Sequence, residues 1–221
     1  VVQNAQFTRS GFSRAHLAGV RHRGWRTLPT LAVEVRQAVA AGEPFVYAYY
    51  DGVDKIAHEF GFGEHYEAEV VACERLVTDL MTALPRGTAL VVTADHGIVD
   101  CTDGETPLDP AVVSLLDRQS GEARFRWLHA APGRARDLAE TAEELHGDRA
   151  WVRTVDSMLE AGWFGPVVTE TARARMGDVA LVARDHWAFT DAADTGRIRL
   201  IGRHGSLTAE EMLVPMLSFV S

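Results

Sequence analysis

Cysteine is nearly absent, with 2 in 221 residues. Cys73 falls on an expected helix and Cys101 in an expected loop, so neither a disulfide framework nor a cysteine-based metal spacing is available. Lysine is scarcer still, Lys55 standing alone, and the largest basic cluster is Arg21-His22-Arg23. With a net charge of −9, this argues against a groove for a nucleic-acid polymer, which has to neutralise a row of phosphates. No apolar run approaches the roughly 20 residues of a membrane span, and no targeting segment is visible, which slightly favours a cytoplasmic setting. Internal repeats and low-complexity tracts are missing as well. There is no initiator methionine before Val1-Val2-Gln3, so a natural start upstream is expected. What remains is ordinary for a soluble globular chain, 47% hydrophobic and 24% charged, and long enough for one large or two small domains.

Residues 1–26 are irregular in pattern. Thr27-Leu28-Pro29 then opens a helix, with Leu31, Val35, Ala38 and Val39 down one face, and Gly42-Glu43-Pro44 stops it. Phe45–Tyr50 is aromatic and β-branched, a strand by composition. From Glu64 to Leu84 a second amphipathic helix carries Val70, Val71, Leu76, Val77, Leu80 and Met81 at helical spacing. Ala89-Leu90-Val91-Val92 reads as a buried strand. The alternation predicts an α/β fold with a mostly parallel sheet flanked by helices. Beyond Asp100 the character changes. Cys101–Pro110 is polar loop, and strands are expected at 125–129, 151–155 and 179–183, with helices at 134–145 and 169–176. About 105–195 is therefore expected to be a smaller inserted α/β lobe. A last strand is expected at Arg197–Ile201, followed by Thr208 and Glu211 at capping-box spacing.

Three polar clusters follow strands, where ligands gather in such sheets. Asp54 and His58 are four apart, so one helical turn puts them on one face. Asp95 and His96 close Thr93-Ala94-Asp95-His96-Gly97. An acid and an imidazole at the end of an apolar strand must both find partners, and a divalent cation accepts both. His204 follows the last expected strand, in Gly202-Arg203-His204-Gly205.

These clusters, in this order, resemble the alkaline phosphatase superfamily, and more closely its nucleotide pyrophosphatase/phosphodiesterase branch. The matching motifs are Asp54-x-x-x-His58 after an aromatic strand, Thr93-Ala94-Asp95-His96-Gly97, and His204-Gly205-Ser206-Leu207-Thr208 with Glu210-Glu211-Met212-Leu213-Val214-Pro215. The resemblance implies an alkaline-phosphatase-like sheet and a two-metal hydrolase of small phosphate esters or nucleotides. It implies that Asp54, His58 and His204 bind one metal and that Asp95 and His96 bind a second. It also implies a nucleophilic Thr or Ser, and a further Asp ligand, for which this chain offers no match. Thr8, Ser10 and Ser13 lie early enough to be considered, but no strand ending in Asp accompanies them. The chain is accordingly expected to be the carboxyl portion of a longer catalytic domain, with no catalytic nucleophile of its own. Zn²⁺ suits three imidazoles and two carboxylates, with Mn²⁺ or Fe as alternatives. Ala57 stands where the branch often has Gly, and Gly61-Phe62-Gly63 replaces a more usual Gly-Pro.

Two other readings stay open: a non-catalytic metal-binding domain, and a phosphonate hydrolase, sulfate-ester hydrolase or mutase of the same superfamily. Asp185-His186 is also an Asp-His pair after a strand, but Trp187-Ala188-Phe189 follows where a tight turn is needed, so a structural role is expected. Asp51 is expected to stabilise the turn before Gly52. Trp127, Trp151, Trp163 and Trp187 are expected in the core of the inserted lobe.

Overall fold

The computed structural model describes residues 1–194 and 199–221. The chain divides into two compact units, Val1–Ala94 with Pro215–Ser221, and Asp95–Val214.

The first unit holds β1 (Val2–Asn4), α1 (Gly11–His16), β2 (Arg23–Trp25), α2 (Leu28–Ala40), α3 (Gly52–Phe60), α4 (Glu64–Ala83) and β3 (Ala89–Thr93). Residues 1–26 are thus not irregular, but three-residue strands are too short to show a period. The start of α2 follows from its sequence: Pro29 lies in the first turn, and the Thr27 N–H donates to Thr30 Oγ1 at 3.1 Å. Leu31 and Val35 of α2 pack with Leu76 and Leu80 of α4 on Val2 and Trp25. Val70 and Val71, expected in the α4 stripe, are exposed, because only the carboxyl half of that helix reaches this cluster. β1 pairs in parallel with β2, and Val2 forms a parallel bridge to Ala48. Among the described residues that bridge is all the ladder Phe45–Tyr50 makes, so the expected strand shrinks to one paired residue. Phe45 is 81% exposed. β3 runs antiparallel to Met216–Val220. It is half-covered rather than buried: Leu90 packs against the helix cluster, while Ala89, Val91 and Thr93 on the other face are exposed.

The second unit continues with β4 (Val99–Asp100), β5 (Glu105–Pro107), α5 (Pro110–Val113), β6 (Leu116–Glu122), β7 (Phe125–Ala130), α6 (Ala135–His146), β8 (Ala150–Thr154), α7 (Val155–Glu160), α8 (Glu170–Arg173), β9 (Val179–Ala183), β10 (Ala188–Thr190), β11 (Gly202–Arg203) and α9 (Ala209–Met212). Met216–Val220, back in the first unit, is β12. Four strands form one antiparallel sheet in the order β6-β7-β9-β8. β9 is buried along its whole length, as a continuous apolar run in an inner strand should be. Its alternate residues divide between two cores. Val179, Leu181 and Ala183 join Leu128, Leu138 and Phe189, whereas Ala180 and Val182 join Val155 and Met158.

The α/β class holds, and the sheet arrangement agrees with expectation in part. Pairing is parallel in β1–β2, Val2–Ala48 and β5–β10, but antiparallel in β3–β12, β4–β11 and the four-stranded sheet. Nothing in the sequence predicts β6, since Leu116-Asp117-Arg118-Gln119-Ser120-Gly121-Glu122 is a polar edge strand without apolar alternation. Cys101–Pro110 holds β5, which pairs with β10. Of the strand expected at Arg197–Ile201, Arg197 and Ile198 lie outside the described residues, and the ladder begins only at Gly202.

His146, at the end of α6, is 2% exposed and accepts a hydrogen bond at Nε2 from the Asp109 N–H at 3.2 Å. Burial pushes its pKa below the ordinary 6.5. The unfolded chain therefore takes up this proton first as pH falls. Its contribution to stability is complete above about pH 6.5 and declines below it. The Tm should drop between pH 7.5 and 5, and His146→Gln should reduce that drop. Some should persist, because burial also pushes the His129 pKa down. Identical profiles for the two chains would assign the acid sensitivity elsewhere.

Candidate metal centre

In the first unit, α3 carries Asp54 in its first turn and His58 in its last, and Gly61, with φ of 68°, ends the helix. Ala57 between them is fully buried, which anchors the helix, and the Asp54 and His58 side chains are partly covered. The pair meets with His58 Nε2 3.2 Å from Asp54 Oδ1, the contact expected of an i,i+4 pair. Asp51 precedes the helix, is 5% exposed and forms an ion pair with Lys55. Its side chain makes no cap hydrogen bond to the helix; the ion pair with Lys55 spans the first turn.

In the second unit, His96 and His204 come together across 108 positions. Their rings stack with centroids 3.6 Å apart and planes at 18°. His96 Nδ1 lies 2.9 Å from the Gly97 carbonyl oxygen. A donor at Nδ1 fixes the tautomer and leaves the Nε2 lone pair for a cation, the usual way a ligating histidine is oriented. Asp95 Oδ1 is 3.8 Å from His96 Nε2. Gly97 is required by close packing: a Cβ there would meet the Glu210 carbonyl oxygen at 1.8 Å. Its N–H donates to the Glu211 carbonyl oxygen at 2.8 Å. Imidazole nitrogen beside carboxylate oxygen is a donor chemistry that fits Zn²⁺ in each unit.

Nothing in the sequence marks Arg124 in this region, and Glu211 takes partners beyond the expected one. Arg124 and Glu211 form an ion pair at 2.5 Å with side chains 0% and 1% exposed. Glu211 was expected to cap α9 with Thr208. Instead, the Thr208 hydroxyl donates to Glu211 Oε2 at 2.7 Å, and the carboxylate also takes the Ser206 N–H at 3.0 Å. Burial opposes the charged form, but the hydrogen bonds from Arg124, Thr208 and Ser206 outweigh it and hold the Glu211 carboxyl below the usual carboxylate range. The spacing of Thr208 and Glu211 was visible in the sequence, whereas nothing marked Arg124.

The remaining candidates have structural surroundings. Asp185 adopts φ of 43° in a turn, with His186 exposed and stacked on Trp187 at 5.2 Å. Ser10 caps α1, and Ser13 is buried against Gln3 Nε2 at 3.2 Å. Burial pushes the Cys101 thiol up to about 11, which keeps it protonated and unreactive.

The sequence profile of the type I phosphodiesterase / nucleotide pyrophosphatase family matches residues 10–207. The chain belongs to this family. None of the curated protein sequences compared with this family member matches it. Its fold is similar to that of human ectonucleotide pyrophosphatase / phosphodiesterase 5, with a TM-score of 0.68 and 17% identity, over 99% of this chain and 59% of the other. The murine counterpart, an inactive variant in complex with AMP, aligns with a TM-score of 0.62 and 17% identity, over 90% of this chain and 54% of the other. Phosphonoacetate hydrolase from Sinorhizobium meliloti, in complex with phosphonoformate, gives a TM-score of 0.62 and 18% identity, over 86% and 49%. The family member thus spans between about half and three fifths of the length of these structures. No helix among its described residues is long and apolar enough to cross a membrane.

Proposed function

We propose that this chain supplies most of the metal-ligand set of a hydrolase acting on small phosphate esters or nucleotides. Asp54, His58 and His204 would hold one divalent cation, and Asp95 and His96 a second. The observation that carries the reading is the pair of acid–imidazole groups, Asp54–His58 and His96–His204 with Asp95, in a chain matched to a phosphodiesterase family over residues 10–207. Bound cations would offset charge on the phosphoryl oxygens and lower the pKa of a bound water towards 7. The chain's own part is to orient: α3 presents Asp54 and His58 one turn apart, and the Gly97 carbonyl fixes the tautomer of His96. Phosphate charge met by cations needs few basic side chains, which fits a chain of net charge −9. The AMP bound by the murine relative favours a nucleotide among the possible esters.

The attacking Thr or Ser and one more Asp ligand would come from a segment ahead of Val1. These 221 residues should therefore bind Zn²⁺ in a titration but hydrolyse an aryl phosphodiester only at a trace rate. The protein encoded with its natural upstream segment should be active and should lose activity to a chelator. Vigorous hydrolysis by the chain alone would overturn the missing nucleophile, and indifference of the longer protein to chelation would overturn the metal mechanism.

A further inference from the structure

Arg124, between β6 and β7, has no solvent exposure. A guanidinium so placed is costly unless its donors are used. Its Nε donates to Glu211 Oε1 at 3.0 Å, Nη2 to Glu211 Oε2 at 2.5 Å, and Nη1 to the Trp187 carbonyl at 2.5 Å. Glu211 in turn accepts from the Ser206 N–H and the Thr208 hydroxyl. Stability is a weak reason for such a network, because a buried ion pair seldom outperforms apolar side chains of the same volume.

The connections of Glu211 are more informative. Its carboxylate holds the backbone of Ser206, two residues past His204, at 3.0 Å. Its carbonyl oxygen holds the Gly97 N–H at 2.8 Å, and the Gly97 carbonyl lies 2.9 Å from His96 Nδ1. Both stacked histidines therefore lead back to one residue, through two independent backbone contacts. Arg124 locks that residue's side chain in a single bidentate geometry.

We infer that Arg124 and Glu211 are positioning residues, which set the spacing of the His96 and His204 imidazoles, each a ligand of its own divalent cation. The inference rests on the proposed reading of those two imidazoles as ligands. Neither residue touches either cation. They act at one remove, where loss typically weakens metal affinity about 10–100-fold.

The test is Zn²⁺ affinity of the whole chain, by competition with a chromophoric chelator, together with the visible spectrum of the Co²⁺ form and the Tm without metal. Three variants are compared with wild type: Glu211→Gln, the double replacement Arg124→Met with Glu211→Leu, and His204→Ala. The double variant leaves no unpaired charge, though it strands the Ser206 N–H and the Thr208 hydroxyl, so it should fold with a Tm only modestly below wild type. It should nevertheless bind Zn²⁺ about 10–100-fold more weakly and show an altered Co²⁺ spectrum. Glu211→Gln should weaken binding in the same direction. If the double variant does not fold, Thr208→Val, which deletes one of the carboxylate's hydrogen bonds, takes its place and should weaken binding several-fold. Folded variants that match wild-type affinity and Co²⁺ spectrum would overturn the positioning role. Wild type and His204→Ala binding Zn²⁺ equally would instead overturn the ligand reading beneath it.

Discussion

A chain carrying Gly97→Ala should lose Zn²⁺ affinity by about 100-fold, the upper end of the loss seen when the groups that orient a metal ligand are disturbed. The added Cβ would lie 1.8 Å from the Glu210 carbonyl oxygen, 2.9 Å from its carbonyl carbon and 3.3 Å from the Glu211 Cα. All three are backbone atoms, so no rotamer change relieves the clash. Either the Asp95–Gly97 turn or α9 must move, and that separates the Gly97 N–H from the Glu211 carbonyl. His96 moves with the turn and loses its stacking on His204. Gly205→Ala provides the contrast. There the nearest atoms to a new Cβ are 3.8 Å and 3.9 Å away, and the difficulty is only φ of 119°. Its cost is backbone strain of about 1–3 kcal/mol, which should lower the Tm while leaving Zn²⁺ affinity much closer to wild type. Measuring both quantities in both variants separates a displaced ligand from a strained loop. Equal losses of affinity would show that the close packing at Gly97 does not govern His96.

The candidate site was legible where chemistry and spacing coincide within a few residues. Asp54 and His58 share a helical face because any i,i+4 pair does, and Asp95-His96-Gly97 announces a polar turn after an apolar strand. The stacking of His96 on His204 was open only to motif resemblance, since no local rule joins positions 108 apart. Arg124 was illegible. It lies between Ala123 and Phe125 as one of many arginines, and its burial is decided by Glu211, 87 positions away. Thr208 and Glu211 have the spacing of a helix cap, yet the carboxylate takes the Arg124 guanidinium and the Ser206 N–H along with the Thr208 hydroxyl, because a charged donor and a buried amide hold a buried carboxylate more strongly than the cap amide would.

The fold was legible in its longer elements. Helix α2, with its Thr and Pro start, and the all-apolar β9 follow directly from composition and period. Strand partners were harder to read. Phe45–Tyr50 has the residue types of a strand, but pairing depends on a neighbour's edge, and among the described residues it forms only the Val2–Ala48 bridge. Ala89–Val92 is apolar enough to be buried, yet burial needs a covering layer, and the helix cluster reaches only Leu90. The antiparallel order β6-β7-β9-β8 escaped because its outer strand β6 is polar and carries no alternation.

The Trp187-Ala188-Phe189 run, which set Asp185-His186 apart from a ligand turn, should prove essential to the second unit. Phe189→Ala should destabilise it by about 3–5 kcal/mol, the usual range for removing a buried aromatic ring. Phe189 is 0% exposed and packs with Leu128, Leu138, Val179 and Leu181. Its backbone cannot drift to close the resulting cavity. The Phe189 N–H donates to the Ala123 carbonyl at 2.8 Å, and its carbonyl accepts from Arg126 Nη2 at 2.8 Å. For a chain of 221 residues the loss corresponds to a Tm drop of roughly 6–20 °C. Tryptophan emission reports it well, because four of the five tryptophans, all but Trp25, lie in the second unit. Val167→Ala, at a position 79% exposed, should change the Tm by no more than about 2 °C. The ring also meets the imidazole of His146 edge-on at 5.3 Å, so its removal opens that group to water and relaxes the burial that depresses its pKa. Phe189→Ala should therefore be less stable at every pH and also lose part of the acid-induced fall between pH 7.5 and 5. A uniform downward shift, with the slope intact, would mean that the Phe189 ring does not contribute to the desolvation of His146.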